Sequence, residues 1–419
     1  MTINRKYILF GSLYFSQFIP LGFFTESLPV YLRSLGYSLQ IVGMIHMLLL
    51  PWMVKFLWAP AVDKIGSKKP GHYRYWILIM QGLVFLCLVA SAFVNLSTTL
   101  YAVLICIALL SFFSSTQDIA TDAFAVETLK KSEQGFGNSI QNSAHSLGSL
   151  IGGGLMLLFL NQIGWSGSIF ILAGIVLIPC IILIINWNKY PVESHAVNND
   201  EPKKSVFDFF KRKGNLKWLG ILLLLPLGSA ISDFIFKPFL IDAGYSLEDI
   251  GFMRGIIGLI ASFAGAIFGG FLIKDNNRNS LLIKLGLLLS LTMLLYILPI
   301  YAKLDFWSIT SIIIINRFIY GAFVTLIFTL IMQRCEKGKA GTDFSVQIAV
   351  MTFSSHGINS LIAGFLTPVI GYTFIYVLAS GIAITSIIIY RRTITSFKAA
   401  KIENLPDKTL IPKLENFEY

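Results

Sequence analysis

The chain has 419 residues, of which 55% are apolar and 13% are charged, and its formal net charge is +11. Soluble domains carry roughly 25% charged residues, and a soluble fold of this length has too little interior for so much apolar surface. The composition therefore indicates a protein that crosses a membrane several times. It excludes a large soluble domain with a chemistry of its own.

Apolar segments recur along the whole chain, and each has close to the length of about 20 residues that a helix needs to cross a bilayer core. We count twelve such segments, which predicts an all-α polytopic membrane protein. The predicted spans cover approximately residues 7–31, 39–61, 75–95, 99–124, 137–161, 167–187, 217–241, 248–273, 280–301, 306–332, 343–368 and 372–390.

Positive charges concentrate on one side of the membrane in this predicted topology. They concentrate at both ends of the chain and in the even-numbered connections, as at Lys68 and Lys69, whereas the odd-numbered connections hold little beyond Arg33 and Lys303. By the positive-inside rule, both termini and the long middle connection are predicted to be cytoplasmic. The net charge then reflects topology and contact with anionic lipid, so membrane lipids are expected partners and nucleic acid is not.

The two halves of the chain share a short repeat. The sequence Gly-Tyr-Ser-Leu at 36–39, followed by Gly43, returns at 244–247, followed by Gly251. Because six spans separate the copies, the halves keep the same orientation, as in a parallel repeat about an axis along the membrane normal. The predicted organisation is an N-terminal six-helix bundle over 1–188, a cytoplasmic linker over 189–216, a C-terminal six-helix bundle over 217–391 and a cytoplasmic tail over 392–419.

Two segments, together with this repeat, carry a resemblance to a known family. Residues 55–60 read Lys-Phe-Leu-Trp-Ala-Pro and are followed by Asp63, and residues 115–123 read Ser-Thr-Gln-Asp-Ile-Ala-Thr-Asp-Ala. With the acidic-then-basic connection at 63–69, they resemble the major facilitator superfamily (MFS fold), in the AmpG-like branch of muropeptide permeases. Pro60 and Lys64 depart from the glycine and arginine that are common there. The wording at 116–122 is most similar to the siderophore permeases of the RhtX and FptX kind.

The resemblance implies a secondary transporter that works by alternating access and is coupled to protons. It would be a monomer in the bacterial inner membrane that imports a siderophore or ferric siderophore, so a small-molecule substrate and protons are the expected partners. Import of a cell-wall muropeptide is the alternative. Export of a siderophore or a drug also stays open, because the fold does not specify the direction of transport.

Features of an enzyme or a metal site are missing from the sequence. It has no histidine–acid pairs at zinc-ligand spacing, no glycine-flanked serine of hydrolase type and no phosphate-binding loop. Its cysteines, Cys87, Cys106, Cys180 and Cys335, have no metal-ligand spacing. We therefore predict no catalysis, no cofactor, no metal and no ATP-driven transport.

Polar side chains inside the predicted spans are the candidate substrate-binding residues, because ionisable groups there are costly and usually functional. Arg317 lies roughly 16 Å from the outer end of its span, near the midplane, where it would contact an anionic substrate or pair with an acid of another helix. Gln17 lies near the midplane of the first span. Asn142 and His145 lie on a polar face of the fifth, where His145 could relay protons or only form hydrogen bonds. With Asp233, these residues form the predicted binding set.

A second set is predicted to gate the transporter or to couple it to protons. Lys55 and Asp118 lie roughly 24 and 27 Å from the outer ends of their spans, so both are expected near the inner side, where they can pair. Asp122, on the same helix face as Asp118, is expected to pair with basic residues of the connection after Asp63. Such pairs would close the inner side, and proton coupling at Asp118 is the competing interpretation.

The outer side has its own candidates. Glu26 and Asp233 are predicted at a similar level in the two halves, which suits an outer gate or a proton site. Asp233 can also simply pair with Lys237, four residues further along the same helix.

Overall fold

The computed structural model describes residues 5–28, 31–32, 50–66, 71–94, 99–185, 187, 207–274, 276–336 and 338–403. Each regular element in these ranges is a helix, which confirms the all-α prediction. The described α-helices, in chain order, are α1 (Arg5–Gly22), α2 (Leu50–Val54), α3 (Ala59–Lys64), α4 (His72–Ala92), α5 (Leu100–Thr128), α6 (Gln134–Ser149), α7 (Met156–Ile185), α8 (Phe207–Lys211), α9 (Asn215–Leu224), α10 (Leu227–Asp242), α11 (Leu247–Ile250), α12 (Gly258–Leu272), α13 (Arg278–Leu294), α14 (Leu298–Tyr301), α15 (Phe306–Gln333), α16 (Ala340–Thr352) and α17 (Asn359–Glu403).

Wider and tighter turns interrupt these helices. The π turns described are Phe23–Ser27, Leu150–Leu155, Gly251–Ile257 and Phe353–Ile358. The 3-10 turns described are Lys55–Leu57, Lys131–Glu133 and Leu295–Ile297. A π turn inserts one residue into a helix and is frequent at functional sites.

Nine of the described helical segments are long and apolar enough to cross a membrane. The second predicted span, 39–61, is described only from residue 50 onwards, and residues 39–49 lie outside the described residues. The fifth and eleventh predicted spans are described as helices with a π turn near their centres, Leu150–Leu155 and Phe353–Ile358. Backbone with positive φ at Gly164 (69°) and Gly371 (78°) separates each from the span that follows. These are equivalent places in the two halves of the sequence.

The chain forms two compact units. The first comprises Met1–Lys211 together with Ile331–Ala349, and the second comprises Arg212–Leu330 together with Val350–Tyr419. The first unit thus includes the end of α15 and most of α16, which the sequence assigns to the C-terminal bundle. The division at 188, 217 and 391 stays a prediction.

Each unit has an apolar core of its own. In the first unit, α1 packs on α6 and α4 packs on α5 and α7, around buried side chains such as Phe23, Leu88 and Trp165. In the second, α17 packs on α10 and α13, around Phe236 and Tyr376 among others.

Glycines allow helices to approach each other closely in both units. In the first unit, a Cβ added at Gly148 would lie 2.5 Å from Cβ of Phe18. In the second, a Cβ at Gly269 of α12 would lie 2.7 Å from the Cα atom of Ala322 in α15. A Cβ at Gly265 would overlap the same helix. Small residues of this kind are typical of membrane helix interfaces, and they bring the turn before α12 close to the middle of α15.

Candidate functional site

A lysine and two aspartates form a buried cluster in the first unit. Lys55 makes an ion pair with Oδ2 of Asp118, and its Nζ lies 3.7 Å from Oδ2 of Asp122. All three residues are at most 4% exposed. The predicted Lys55–Asp118 contact is therefore confirmed, and we call Lys55, Asp118 and Asp122 the Lys55 cluster.

The local sequence explains how these side chains meet. Lys55 begins the 3-10 turn that interrupts the helix between α2 and α3, and Pro60 occupies the first turn of α3, where its missing N–H is tolerated. On α5, Asp118 and Asp122 are four residues apart, so they lie on one face of the helix. The interrupted helix thus places one ammonium group opposite two carboxylates of a regular helix.

Neutral donors complete the surroundings of Asp122. The hydroxyl of Tyr14 and the Nε2 of Gln141 each donate to its Oδ1 at 3.0 Å. The predicted pairing of Asp122 with basic residues after Asp63 stays a prediction, because Lys68 and Lys69 lie outside the described residues. Asp122 is 1% exposed, and its described partners come from α1, α6 and Lys55 inside the unit. With both carboxylates ionised, the Lys55 cluster has a formal charge of −1.

Asp63 binds the start of α16. Its carboxylate accepts hydrogen bonds from the backbone N–H groups of Gly341 (3.0 Å) and Thr342 (2.8 Å) and from the Tyr73 hydroxyl (2.7 Å). An anion at a helix N-terminus satisfies free N–H groups and interacts favourably with the helix dipole. Burial raises the pKa of the Asp63 carboxyl, and the hydrogen bonds from Thr342, Tyr73 and Gly341 oppose that rise.

Two weaker contacts hold the same connection in the first unit. The backbone N–H of Gly338 donates to Oε1 of Glu127 at 3.4 Å, and Lys339 pairs with Asp208 at 3.1 Å. Together with Asp63, these acids attach residues 338–342 to α3, α5 and α8. The attachment is the physical reason that Ile331–Ala349 belongs to the first unit.

The second unit contains a cluster of opposite charge. Arg254 and Arg317 both make ion pairs with Oδ1 of Asp233, and we call these three residues the Asp233 cluster. Arg317 thus has the acidic partner on another helix that the sequence left open. Asp233 pairs with these arginines, and the side chain of Lys237, its other suggested partner, lies outside the described residues.

Arg254 is the functional candidate that sequence reasoning did not assign. It is 8% exposed and lies in the π turn Gly251–Ile257, ahead of α12. Its guanidinium carbon lies 5.9 Å from the centroid of the Phe236 ring. The available signal was a charged residue in an apolar span, at a position equivalent to His46 in the first half.

The other predicted binding residues lie in the first unit. Gln17 is 3% exposed and donates from Nε2 to the Thr121 hydroxyl at 3.2 Å, which places it beside the Lys55 cluster. His145 is exposed, and its ring packs edge-on against Phe18 at 4.7 Å between centroids. Asn142 is half-buried on the same helix. The side chain of Glu26 lies outside the described residues.

Comparison with known proteins identifies the family. The family model of the Major Facilitator Superfamily matches residues 7–356. The chain therefore belongs to the major facilitator superfamily, and it is a multi-pass membrane protein of a transporter family.

Individual relatives indicate the branch of the superfamily. The chain is 26% identical over 382 residues to the anhydromuropeptide permease of Escherichia coli K12, covering 90% of this chain and 77% of that protein. It is 25% identical over 387 residues to the putative transporter AmpG 4 of Rickettsia felis, covering 88% of this chain and 92% of that protein. These relatives support the AmpG-like branch, and neither is named for a siderophore.

The solved structures agree on the fold. The crystal structure of the human organic anion transporter MFSD10 (TETRAN) matches with a TM-score of 0.65 at 12% identity, covering 93% of this chain and 100% of that one. At that identity the likeness concerns the fold alone.

Proposed function

We propose that the protein is a secondary transporter of the bacterial inner membrane that imports an anhydromuropeptide by alternating access, with both termini in the cytoplasm. The observation that supports this choice of substrate is the 26% identity to the E. coli anhydromuropeptide permease over 90% of this chain. The case for siderophore import depends on the sequence of residues 116–122 alone. The relatives described above favour a muropeptide as the substrate.

The Lys55 cluster is the proposed proton site. A lysine facing two carboxylates has a formal charge of −1, and it lies where an uncompensated charge is expensive. One added proton makes the cluster neutral, which lowers the cost of passing through a dehydrated state.

Asp63 is the proposed inner latch. Its hydrogen bonds to Gly341 and Thr342 hold the start of α16 within the first unit, and we expect opening towards the cytoplasm to break them. Hydrogen bonds to a charged acceptor contribute about 1.5–3 kcal/mol each. Two or three such bonds can be exchanged for substrate-binding energy without unfolding either unit.

An uptake assay distinguishes between the candidate substrates. Cells lacking their own anhydromuropeptide permease would receive this gene and be offered labelled anhydromuropeptide and, separately, labelled ferric siderophores. We expect accumulation of the anhydromuropeptide alone, and loss of uptake in Arg317→Ala while the protein stays in the membrane. Accumulation of a ferric siderophore with no muropeptide uptake would overturn the proposed substrate.

A second measurement addresses coupling. A protonophore should abolish uptake by the wild-type protein, and Asp118→Asn and Asp122→Asn should each uncouple proton movement from substrate movement. Asp249→Asn is the matched control, because Asp249 is an acid of the short helix α11 and accepts its hydrogen bond from Ser246, just ahead of that helix. Intact proton-coupled uptake in both Asp118→Asn and Asp122→Asn would remove the Lys55 cluster from the coupling mechanism.

A further inference from the structure

The Asp233 cluster has more positive charge than its own residues neutralise. Arg254 reaches Asp233 from the π turn before α12, and Arg317 reaches it from α15, and both ion pairs converge on the same oxygen, Oδ1. Two guanidinium groups and one carboxylate leave an excess of +1. An uncompensated charge inside a membrane protein is costly and is usually retained for a function.

Three buried donors surround this excess charge. The Nη1 of Arg254 and the hydroxyls of Tyr296 and Tyr376 are buried and have no hydrogen-bond partner among the described residues. Tyr296 and Tyr376 are 1% and 0% exposed, and both lie close enough to Arg254 to interact with its charge. Burying a donor without an acceptor is costly. Arg254 lies near enough to Tyr296 to donate towards its hydroxyl oxygen, but the hydroxyl protons of Tyr296 and Tyr376 lack an acceptor among the described residues. An anion would supply one.

Aromatic rings form the wall next to these donors. The rings of Phe236 and Tyr296 stack with centroids 4.1 Å apart, and the ring of Tyr376 lies 5.7 Å from that of Tyr296. On the other side, the guanidinium carbon of Arg317 lies 5.3 Å from the Tyr320 ring. A ligand in this place would meet apolar ring faces beside its charged group.

The exposure of the three charged side chains indicates from which side a ligand would reach the Asp233 cluster. The side chain of Asp233 is 42% exposed, that of Arg317 is 16% exposed and that of Arg254 is 6% exposed. The acid is therefore the most accessible member of the cluster, and Arg254 is the deepest. Asp233 is therefore the member best placed to leave the arginines when another anion takes its place.

We propose that Arg254 and Arg317 bind a carboxylate of the transported substrate, and that Asp233 is a resident anion that this carboxylate displaces. The inference rests on the proposed function, since it takes the protein to be a transporter, but the exchange of anions can be tested without transport. The ligand class is a carboxylate because the planar guanidinium fork matches two carboxylate oxygens. A carboxylate in this place also offers acceptors to the hydroxyls of Tyr296 and Tyr376.

Chemical rescue tests the anion site directly. In purified Asp233→Ala protein, sodium acetate should raise the apparent melting temperature by about 3 °C at ten times its Kd. An equal concentration of sodium chloride should give a smaller rise. The matched control is Asp242→Ala on the same helix, whose partner is the Tyr372 hydroxyl rather than a guanidinium. That variant and the wild-type protein should respond to acetate much less than Asp233→Ala does, because Asp233 still occupies the site in both. If Asp233→Ala does not yield folded protein, Asp233→Asn serves in the same titration.

Acetate that stabilises Asp233→Ala no more than chloride does would overturn the carboxylate site. Binding of labelled anhydromuropeptide then tests the displacement. Asp233→Asn should tighten its Kd by about tenfold, and Arg254→Gln should weaken it by at least about tenfold. Weaker binding by Asp233→Asn would overturn the role of Asp233 as a resident anion. Acetate rescue without any muropeptide binding would keep the anion site and refute only the proposed substrate.

Discussion

Replacing Lys55 with methionine should destabilise the first unit strongly, because it leaves two buried carboxylates without their cation. The Nζ atom of Lys55 lies 3.7 Å from Asp122, and at an effective dielectric constant of about 20 that pair alone has a Coulomb energy of about 4.5 kcal/mol. The contact with Asp118 is shorter still. Removing one partner of a buried ion pair typically costs about 3–5 kcal/mol, so we expect the apparent melting temperature of Lys55→Met to fall on the order of 10 °C.

Two double variants make this prediction specific. In Lys55→Met with Asp118→Asn, the remaining acid is Asp122, which keeps its hydrogen bonds from Tyr14 and Gln141 at 3.0 Å. In Lys55→Met with Asp122→Asn, the remaining acid is Asp118, whose described hydrogen bond comes from Lys55. The first double variant should therefore recover most of the lost stability and the second much less.

The measurement is thermal unfolding of the purified protein in detergent, followed by tryptophan fluorescence for the wild type and all three variants. A Lys55→Met variant as stable as the wild type would contradict the prediction. Equal recovery in the two double variants would contradict it too, because the neutral donors among the described residues belong to Asp122. Lys64→Met is a matched control, since Lys64 is exposed and lies in the neighbouring helix α3.

Packing, helix capping and acid sensitivity each give a further test. Gly269→Ala places a Cβ 2.7 Å from the backbone of α15, so it should lower the free energy of unfolding by about 1–3 kcal/mol. Gly82→Ala is the control: its Cβ meets nothing within 4 Å, so it should not lower the melting temperature. Asp63→Asn replaces one acceptor oxygen with an NH2 group, a donor that would face the backbone N–H donors of Gly341 and Thr342. Limited trypsin digestion should therefore cut the connection before α16 faster, and an unchanged rate would contradict the latch. Burial raises the pKa of Glu133, but the hydrogen bond and charge of Lys6 outweigh it and hold that pKa below 4.5. The stability that Glu133→Gln removes should therefore be present above pH 4.5 and vanish as the pH falls through the lowered pKa; a difference that persists in acid would exclude this pair as the cause.

Sequence reasoning succeeded where a regular helix relates position to depth. Counting 1.5 Å per residue placed Lys55 and Asp118 at a similar level, and the structure pairs them. It did not foresee that Tyr14 and Gln141 donate to Asp122, because these neutral partners come from other helices and carry no charge pattern that a sequence could display.

The Asp233 cluster shows a second limit. Arg254 lies within a π turn, and the residue that such a turn inserts rotates the following helix face by roughly 100° relative to a regular helix. A helical wheel therefore misplaces Arg254, although its charge in an apolar span could be seen. The shared carboxylate of Asp233 depends on three separate elements meeting, which spacing along the chain does not specify.

The two clusters are each one charge away from neutrality, and with opposite sign. The Lys55 cluster has one cation and two anions, so a proton would neutralise it. The Asp233 cluster has one anion and two cations, so its formal charge becomes zero when a substrate carboxylate is bound and the displaced Asp233 stays beside the arginines. An unbalanced charge raises the free energy of a closed, dehydrated state of the transporter, because the charge loses its hydration there. Binding one proton and one carboxylate together removes both imbalances, whereas binding either alone removes one. The two proposals together therefore imply that the fully loaded protein crosses its closed state most easily, which is the energetic condition for coupling one proton to each substrate carboxylate.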